Sequence, residues 1–397
     1  MITVSEASAI IFENLFTPAP THVKINACSG KVLAETVIAD RDFPPFHRVS
    51  MDGIAIRYES WVKGRRTFLI EGTQAAGQEK KSLKDAAGCL EVMTGAILPG
   101  GCDAVIRYED LDIRNGEATI TAENIVQWQS IHLQGMDASE KQVLLTPGLL
   151  LAPSEVALLA SVGKPEVSVF APPGVAIIST GDELVEINAT PSAFQTRRSN
   201  SYALQAALLQ AGCDAACFHL ADDKGLMEKR LADIADKYDV LILSGGVSKG
   251  KFDFVPDVME SIGIRKLFHQ VSQRPGKPFW FGRSASGKVA FALPGNPVST
   301  FMCFYKYIKP WILRSMGARV AGRSAMLAED FSFAQPLTYF LQVEVKNEGG
   351  RLLAYPNPGG GSGDFANLKN VTGFLELPLE KNAFKAGEAF PYICFRD

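Results

Sequence analysis

The chain is poor in the residues that usually announce chemistry. Its seven cysteines are odd in number and form no C-x-x-C pair, so neither a disulfide framework nor a zinc site is indicated, and most read as small core residues. Cys213 and Cys217 read as two buried positions on one face of a strand. The five histidines do not cluster. No apolar run approaches the length of a membrane span, and the opening MITVSEAS lacks the basic start of a secretory signal; a cytoplasmic protein without a membrane partner is expected. A formal net charge of −3 argues against a nucleic-acid partner while leaving local basic pockets open. Even the one P-loop match fails: Gly245 to Lys251 fits G-x-x-x-x-G-K, but Phe252 follows where the motif needs a metal-binding hydroxyl.

What is present is an ordinary globular composition, 47% hydrophobic and 21% charged over 397 residues, enough for about two to four domains. Thr3 and Glu6 form a capping box before the amphipathic pattern Val4, Ala7, Ile11, Leu15, which predicts a first helix. Pro44-Pro45 stops any regular element. Asp52-Gly53 then makes a turn feeding a strand from Ile54. Apolar runs at Thr67–Glu71, Cys89–Thr94, Ala104–Glu109 and Ala118–Thr121, divided by glycine and polar clusters, predict a small all-β insert. Thr94, Gly95 and Asp103 either end strands or meet a ligand. Pro153 to Gly163 predicts a short buried helix.

Behind Pro172-Pro173-Gly174 the pattern changes to alternating strands and helices: strands at Val175–Ser179, Ala215–Leu220 and Val240–Leu243, helices at Asn200–Leu209 and Leu226–Tyr238. This is the signature of a parallel sheet with covering helices, whose ligands bind at the carboxyl ends of the strands. Three such ends carry acids: Asp182 and Glu183, Asp222 and Asp223, and Asp253. The third follows the glycine-rich loop Ser244, Gly245, Gly246, Ser248, Gly250, where backbone N–H groups approach an anion closely and Asp253 opens the next helix. Two further loops, Gln273 to Pro278 and Leu293 to Ser299, add Arg274 and Lys277 and a helix capped by Asn296 and begun by Pro297. One acid at a strand end is a helix cap; several converging with glycines point to a phosphorylated ligand carried with magnesium.

The motifs Ser50-Met51-Asp52-Gly53, Met93-Thr94-Gly95-Ala96, Gly101-Cys102-Asp103, Ser179-Thr180-Gly181-Asp182-Glu183-Leu184, Ser199-Asn200-Ser201, Ser244-Gly245-Gly246, Pro275-Gly276-Lys277-Pro278 and Leu293-Pro294-Gly295-Asn296-Pro297-Val298-Ser299 together resemble the molybdopterin molybdenumtransferases. These are the insertases of molybdenum cofactor synthesis, similar also to the E domain of gephyrin. The resemblance implies an α/β and β multidomain homodimer: a split linking domain (1–45 and 138–172), a β-rich insert (46–137), a central three-layer molybdopterin-binding α/β domain with a parallel-type sheet (173–317), and a carboxyl-terminal β domain (318–397). It implies that adenylated molybdopterin and molybdate combine, with magnesium bound, to give molybdenum cofactor and AMP.

Carried over by position, Asp52, Thr94, Asp137, Glu183 and Asp253 are candidate catalytic residues, and Glu183, Asp222 and Asp253 candidate metal ligands. Thr180, Gly181, Asp182, Ser244, Gly245, Gly246, Ser248, Gly250, Pro294, Gly295 and Asn296 would hold the pterin nucleotide, and Arg274, Lys277 and Ser299 the molybdate. Implied protein partners are a molybdopterin adenylyltransferase and molybdoenzymes. The chain departs from the family at His132-Leu133-Gln134 before Gly135, where relatives carry an arginine-rich run, at Arg274 in place of a lysine, and near Leu341-Gln342, where an arginine is missing. The runner-up activity is adenylation of molybdopterin with ATP, and the third reading a non-catalytic cofactor scaffold. The Asp52 and Thr94 motifs of the insert speak against the first, Glu183, Asp222 and Asp253 against the second.

Overall fold

The computed structural model describes residues 1–247 and 254–396, and its chain divides into two compact units. One comprises Met1–Glu35, Pro147–Val156 and Glu166–Asp397, the other Thr36–Thr146 and Ala157–Pro165. Ser248, Gly250 and Asp253 lie outside the described residues.

The first unit opens with helix α1 (Val4–Glu13), whose capping box forms in both directions, Glu6 N–H to Thr3 Oγ1 and Thr3 N–H to Glu6. The predicted Val4, Ala7 and Ile11 are its buried face.

In the second unit, β1 (Gly53–Ile56) leads to a short helix, α2 (Tyr58–Val62). Strands β2 (Thr67–Gln74), β3 (Gly88–Val92), β4 (Ala104–Arg107), β5 (Leu111–Arg114) and β6 (Glu117–Ile120) follow. They form one sheet in the order β4-β1-β3-β2-β6-β5. The insert is therefore β-rich but not all-β. Asp103, read as a strand end, accepts the N–H of Tyr58 at 2.6 Å and so anchors the start of α2, a long-range cap that no local pattern announces.

Helix α3 (Pro153–Ser161) has the predicted ends, yet Leu159 is its one buried residue, so the expectation of a buried helix is wrong. The central sheet comes next: β7 (Val175–Thr180), α4 (Asn200–Gln210), β8 (Ala215–Leu220), α5 (Lys224–Lys237), β9 (Val240–Ser244), α6 (Val255–Ser261), β10 (Ile264–His269), β11 (Gln273–Arg274), β12 (Trp280–Ser284) and β13 (Val289–Leu293). The sheet order is β8-β7-β9-β13-β12-β10. Four strands are parallel, as expected, and every residue of β7, β9 and β13 is buried, which explains their unbroken apolar runs. The other two are an antiparallel edge, β10 and β12. Cys217 points outward from edge strand β8 and is exposed, while Cys213 is buried ahead of that strand, so the two do not share a buried face. Burial pushes the thiols of Cys89, Cys102 and Cys213 up to about 12, which leaves them inert core groups.

After β13 the chain runs through α7 (Pro297–Cys303), a π-helical turn (Phe304–Ile308) and α8 (Lys309–Ser315), packing Phe304, Tyr307 and Trp311 against Phe279, Phe281 and Phe291 in the largest core. Strands β14 (Arg323–Leu327), β15 (Thr338–Glu348), β16 (Arg351–Pro356), β17 (Gly373–Leu377) and β18 (Ala389–Cys394) then close on themselves, β17 pairing back to β15. In β18, Pro391 interrupts the apolar run, but Phe390 and Tyr392 alternate inward on either side of it. β11 joins this barrel by pairing in parallel with β15. No helix among the described residues is long and apolar enough to cross a membrane.

Candidate functional site

The loops that leave β7, β9 and β13 at their carboxyl ends line a pocket of about 660 Å³. Thr180, Gly181, Glu183, Asp222, Ser244, Gly245, Gly246, Pro294, Gly295 and Asn296 are on its wall, which brings most of the predicted nucleotide and metal residues together. Asn200, the first residue of α4, holds three loops in register: its Nδ2 donates to Ser244 Oγ and to Gly295 O, each at 2.8 Å, and approaches Thr300 Oγ1 at 3.4 Å. The Ser199-Asn200-Ser201 motif carries no sign of this bracing role in the sequence.

Gly245 has a different role from the one expected. Gly245 spends its N–H on Leu293 O at 3.1 Å, so that group is not offered to a ligand. It is needed for space: with φ at +103°, a Cβ there would stand 2.8 Å from both Thr180 O and Thr180 Oγ1. The loop thus closes over Thr180, whose hydroxyl is buried without a partner among the described residues. An orphaned hydroxyl on a polar pocket wall fits a ligand that supplies an acceptor.

Among the acids, Asp182 is turned to the neighbouring loop, its Oδ1 accepting the N–H of Asp222 at 3.1 Å, and Asp223 caps α5 by accepting the N–H of Leu226 at 2.8 Å. Glu183 and Asp222 are the two described carboxylates on the pocket wall. No trio of potential ligands is gathered among the described residues. Two carboxylates still fit magnesium, which is commonly bound through one or two carboxylates together with substrate phosphates and water.

A second pocket, of about 550 Å³, shares Pro278, Pro294 and Asn296 with the first. Arg274, Lys277 and Ser299 line it, with Tyr339, Gln342 and the glycine run Gly359 to Gly361 of the carboxyl-terminal barrel. The cationic loop is braced from beneath by buried Gln273, which donates to Gly276 O at 2.9 Å and accepts from the Tyr307 hydroxyl. Gly276 fits because a Cβ there would meet Cys303 Sγ at 2.8 Å. Asn296 does not cap α7 with its side chain; it donates instead to Ser362 Oγ at 3.0 Å. Gln342, at the missing arginine, is 4% exposed and spends its amide on Pro358 O and Asn367. It therefore organises the glycine run without adding charge.

The remaining candidates belong to the other compact unit. Asp52 Oδ1 accepts from Thr94 N at 2.6 Å and from Thr94 Oγ1 at 2.8 Å, and these bonds, the backbone one foremost, hold its carboxyl below the usual range. Asp137 pairs with His132 Nε2 at 2.8 Å, while His132 Nδ1 faces Arg48 Nη2 at 3.1 Å across the short pairing of Arg48–Val49 with Ile131–His132. Arg48 brings a cation beside this segment, a contact visible only once the strands pair.

Three family profiles match the chain: the MoeA N-terminal region, domains I and II, over residues 2–163; a probable molybdopterin-binding domain over 176–314; and the MoeA C-terminal region, domain IV, over 324–395. A protein of Synechocystis called molybdopterin molybdenumtransferase is 41% identical, with 100% of each chain covered. One of the same name from Staphylococcus epidermidis is 30% identical over 99% of this chain and 95% of its own. The crystal structure of a molybdopterin biosynthesis MoeA protein from Pyrococcus horikoshii superposes with a TM-score of 0.82 at 29% identity, covering 100% of both chains.

Proposed function

The chain belongs to the MoeA family of molybdopterin molybdenumtransferases, and from that premise we propose how its two adjoining pockets divide the work. It is an enzyme of molybdenum cofactor biosynthesis that inserts molybdenum into molybdopterin. In our reading the substrates are molybdate and adenylated molybdopterin, and the phosphoanhydride is cleaved to release AMP and molybdenum cofactor.

The observation that carries this reading is the shared wall of Pro278, Pro294 and Asn296, with glycines and acids on one side and two cations on the other. A phosphorylated pterin and a tetrahedral oxyanion would then lie side by side, a proximity that lowers the entropic part of the barrier. Thr180 donates its free hydroxyl to the nucleotide, Ser244 and Asn200 keep the loops in place, and Arg274 and Lys277 orient the oxyanion through charge-assisted hydrogen bonds. Ser299, buried on the same wall, adds a hydroxyl. Glu183 and Asp222, with Asp253 from the sequence, would hold magnesium, which when bound neutralises charge on the breaking anhydride. Purified protein supplied with adenylated molybdopterin, molybdate and magnesium should release AMP in proportion to cofactor formed; release without molybdate consumption would refute the reading.

If the cationic loop holds molybdate, Lys277→Ala removes one charge-assisted hydrogen bond and should raise the molybdate needed for half-maximal AMP release roughly ten- to a hundredfold. Binding of adenylated molybdopterin should change much less. An equal loss of both would mean that the loop holds phosphates.

We also propose that the protein works in the cytoplasm as a homodimer of four-domain chains, with Asp52, Thr94 and Asp137 of one chain serving the α/β domain of the other. Mixed dimers of Asp52→Ala and Glu183→Gln chains, each inactive alone, should then recover part of the activity. No recovery in dimers proven to be mixed would rule out sharing.

A further inference from the structure

Among the described residues, two that line the larger pocket carry a buried side-chain polar atom with no partner: Thr180 at Oγ1 and Arg198 at Nε. The second belongs to a residue that no motif singled out. Arg198 lies just before α4, and its side chain is only 10% exposed. It is ion-paired through Nη2 with Glu186, whose own side chain is 58% exposed. Its neighbour Arg197 differs in each respect, being exposed and spending Nε on Ala189 O at 3.1 Å.

A guanidinium that is nine-tenths buried, half satisfied and on a pocket wall is an unusual thing to keep. Taking its charge out of water is costly, and a partner that is itself largely in water offsets that cost only weakly. Its fork of N–H donors matches two oxygens of a phosphate or carboxylate. Thr180, the one orphaned hydroxyl among the described residues of the same wall, offers a further donor to the same kind of group.

We propose that Arg198 is a binding residue for a phosphate oxygen of the ligand in this pocket, kept in reserve by Glu186: on binding, the ligand's oxyanion replaces the Glu186 carboxylate as the partner of the guanidinium. The proposal rests on the reading of this pocket as the site of a phosphorylated pterin nucleotide. It differs from a merely structural ion pair in one respect. Glu186 competes with the ligand for Arg198, so loss of the carboxylate and loss of the guanidinium act on binding in opposite directions.

The test is anaerobic titration calorimetry of the full chain with adenylated molybdopterin and magnesium, without molybdate, for the wild type, Thr180→Val, Arg198→Gln, Arg198→Lys and Glu186→Gln. Thermal unfolding of each protein serves as the check on folding. Arg198→Gln should raise Kd about tenfold or more, and Arg198→Lys, which keeps the charge but not the fork, by less. Glu186→Gln should lower Kd roughly two- to fivefold, on the scale of one exposed ion pair. Arg198→Gln and Glu186→Gln weakening binding alike, or Arg198→Gln leaving Kd unchanged while Thr180→Val raises it, would overturn the role of Arg198 and leave the pocket assignment standing. If neither Thr180→Val nor Arg198→Gln alters Kd, the pocket itself is not the nucleotide site.

Discussion

Glu183→Gln and Asp222→Asn proteins should fold and dissolve like the wild type yet release AMP about a hundred- to a thousandfold more slowly, the loss typical when one preorganised electrostatic partner of a transition state is removed. Each change keeps the shape of the side chain and deletes a charge. The backbone of Glu183 is held by Thr196, whose N–H donates to Glu183 O at 2.9 Å, and Asp222 donates its own N–H to Asp182. Both residues line the same pocket, so the two variants should also share a symptom, a raised magnesium requirement that saturating metal partly offsets. Single-turnover AMP release across a magnesium series is the measurement. Normal rates at limiting magnesium in either variant would remove that residue from the metal site.

Gly53→Ala should unfold the insert and abolish activity, although it adds one methyl group far in sequence from the pterin pocket. Gly53 begins β1 between β3 and β4, and a Cβ on it would stand 1.8 Å from Ile106 O and 2.8 Å from Arg107 Cα. These are backbone atoms of a paired strand, so no side chain can turn aside. The strand must shift, breaking the Gly53↔Arg107 pairing and moving Asp52 off Thr94. The expected cost is about 3 kcal/mol or more, at the upper end for overpacking because backbone rather than a rotamer has to yield. Thermal unfolding should show an early transition for the insert, and AMP release should be lost with it. A variant that melts like the wild type would mean that β1 and β4 can separate at little cost. Asp52→Asn, by contrast, should leave the melting temperature nearly unchanged, since Asp52 is exposed and its bonds lie at the surface.

Local physics made a good part of this molecule legible. The capping box of α1, the buried apolar runs of β7 and β9 and the helix α5 are each dictated by neighbours within a few residues, so spacing alone revealed them. The errors have one origin. The antiparallel edge of β10 and β12, the exposure of Cys217 and of most of α3, and the helix α2 anchored by Asp103 depend on what packs beside them, which no period encodes.

The sequence by itself determined the α/β alternation, the placing of acids and glycines after the strands, and a set of motifs specific enough to identify the family. Those features are written in contiguous residues and survive any rearrangement of the rest. Tertiary structure alone decided which groups are free and which are spent. Asp182 and the Gly245 N–H are consumed in linking loops, Thr180 Oγ1 and Arg198 Nε are left without partners among the described residues, and Arg48 reaches His132 across a strand pairing. A hydrogen bond satisfies a group only when a partner from elsewhere in the chain is brought within about 3 Å of it, and burial removes the water that would otherwise take that place.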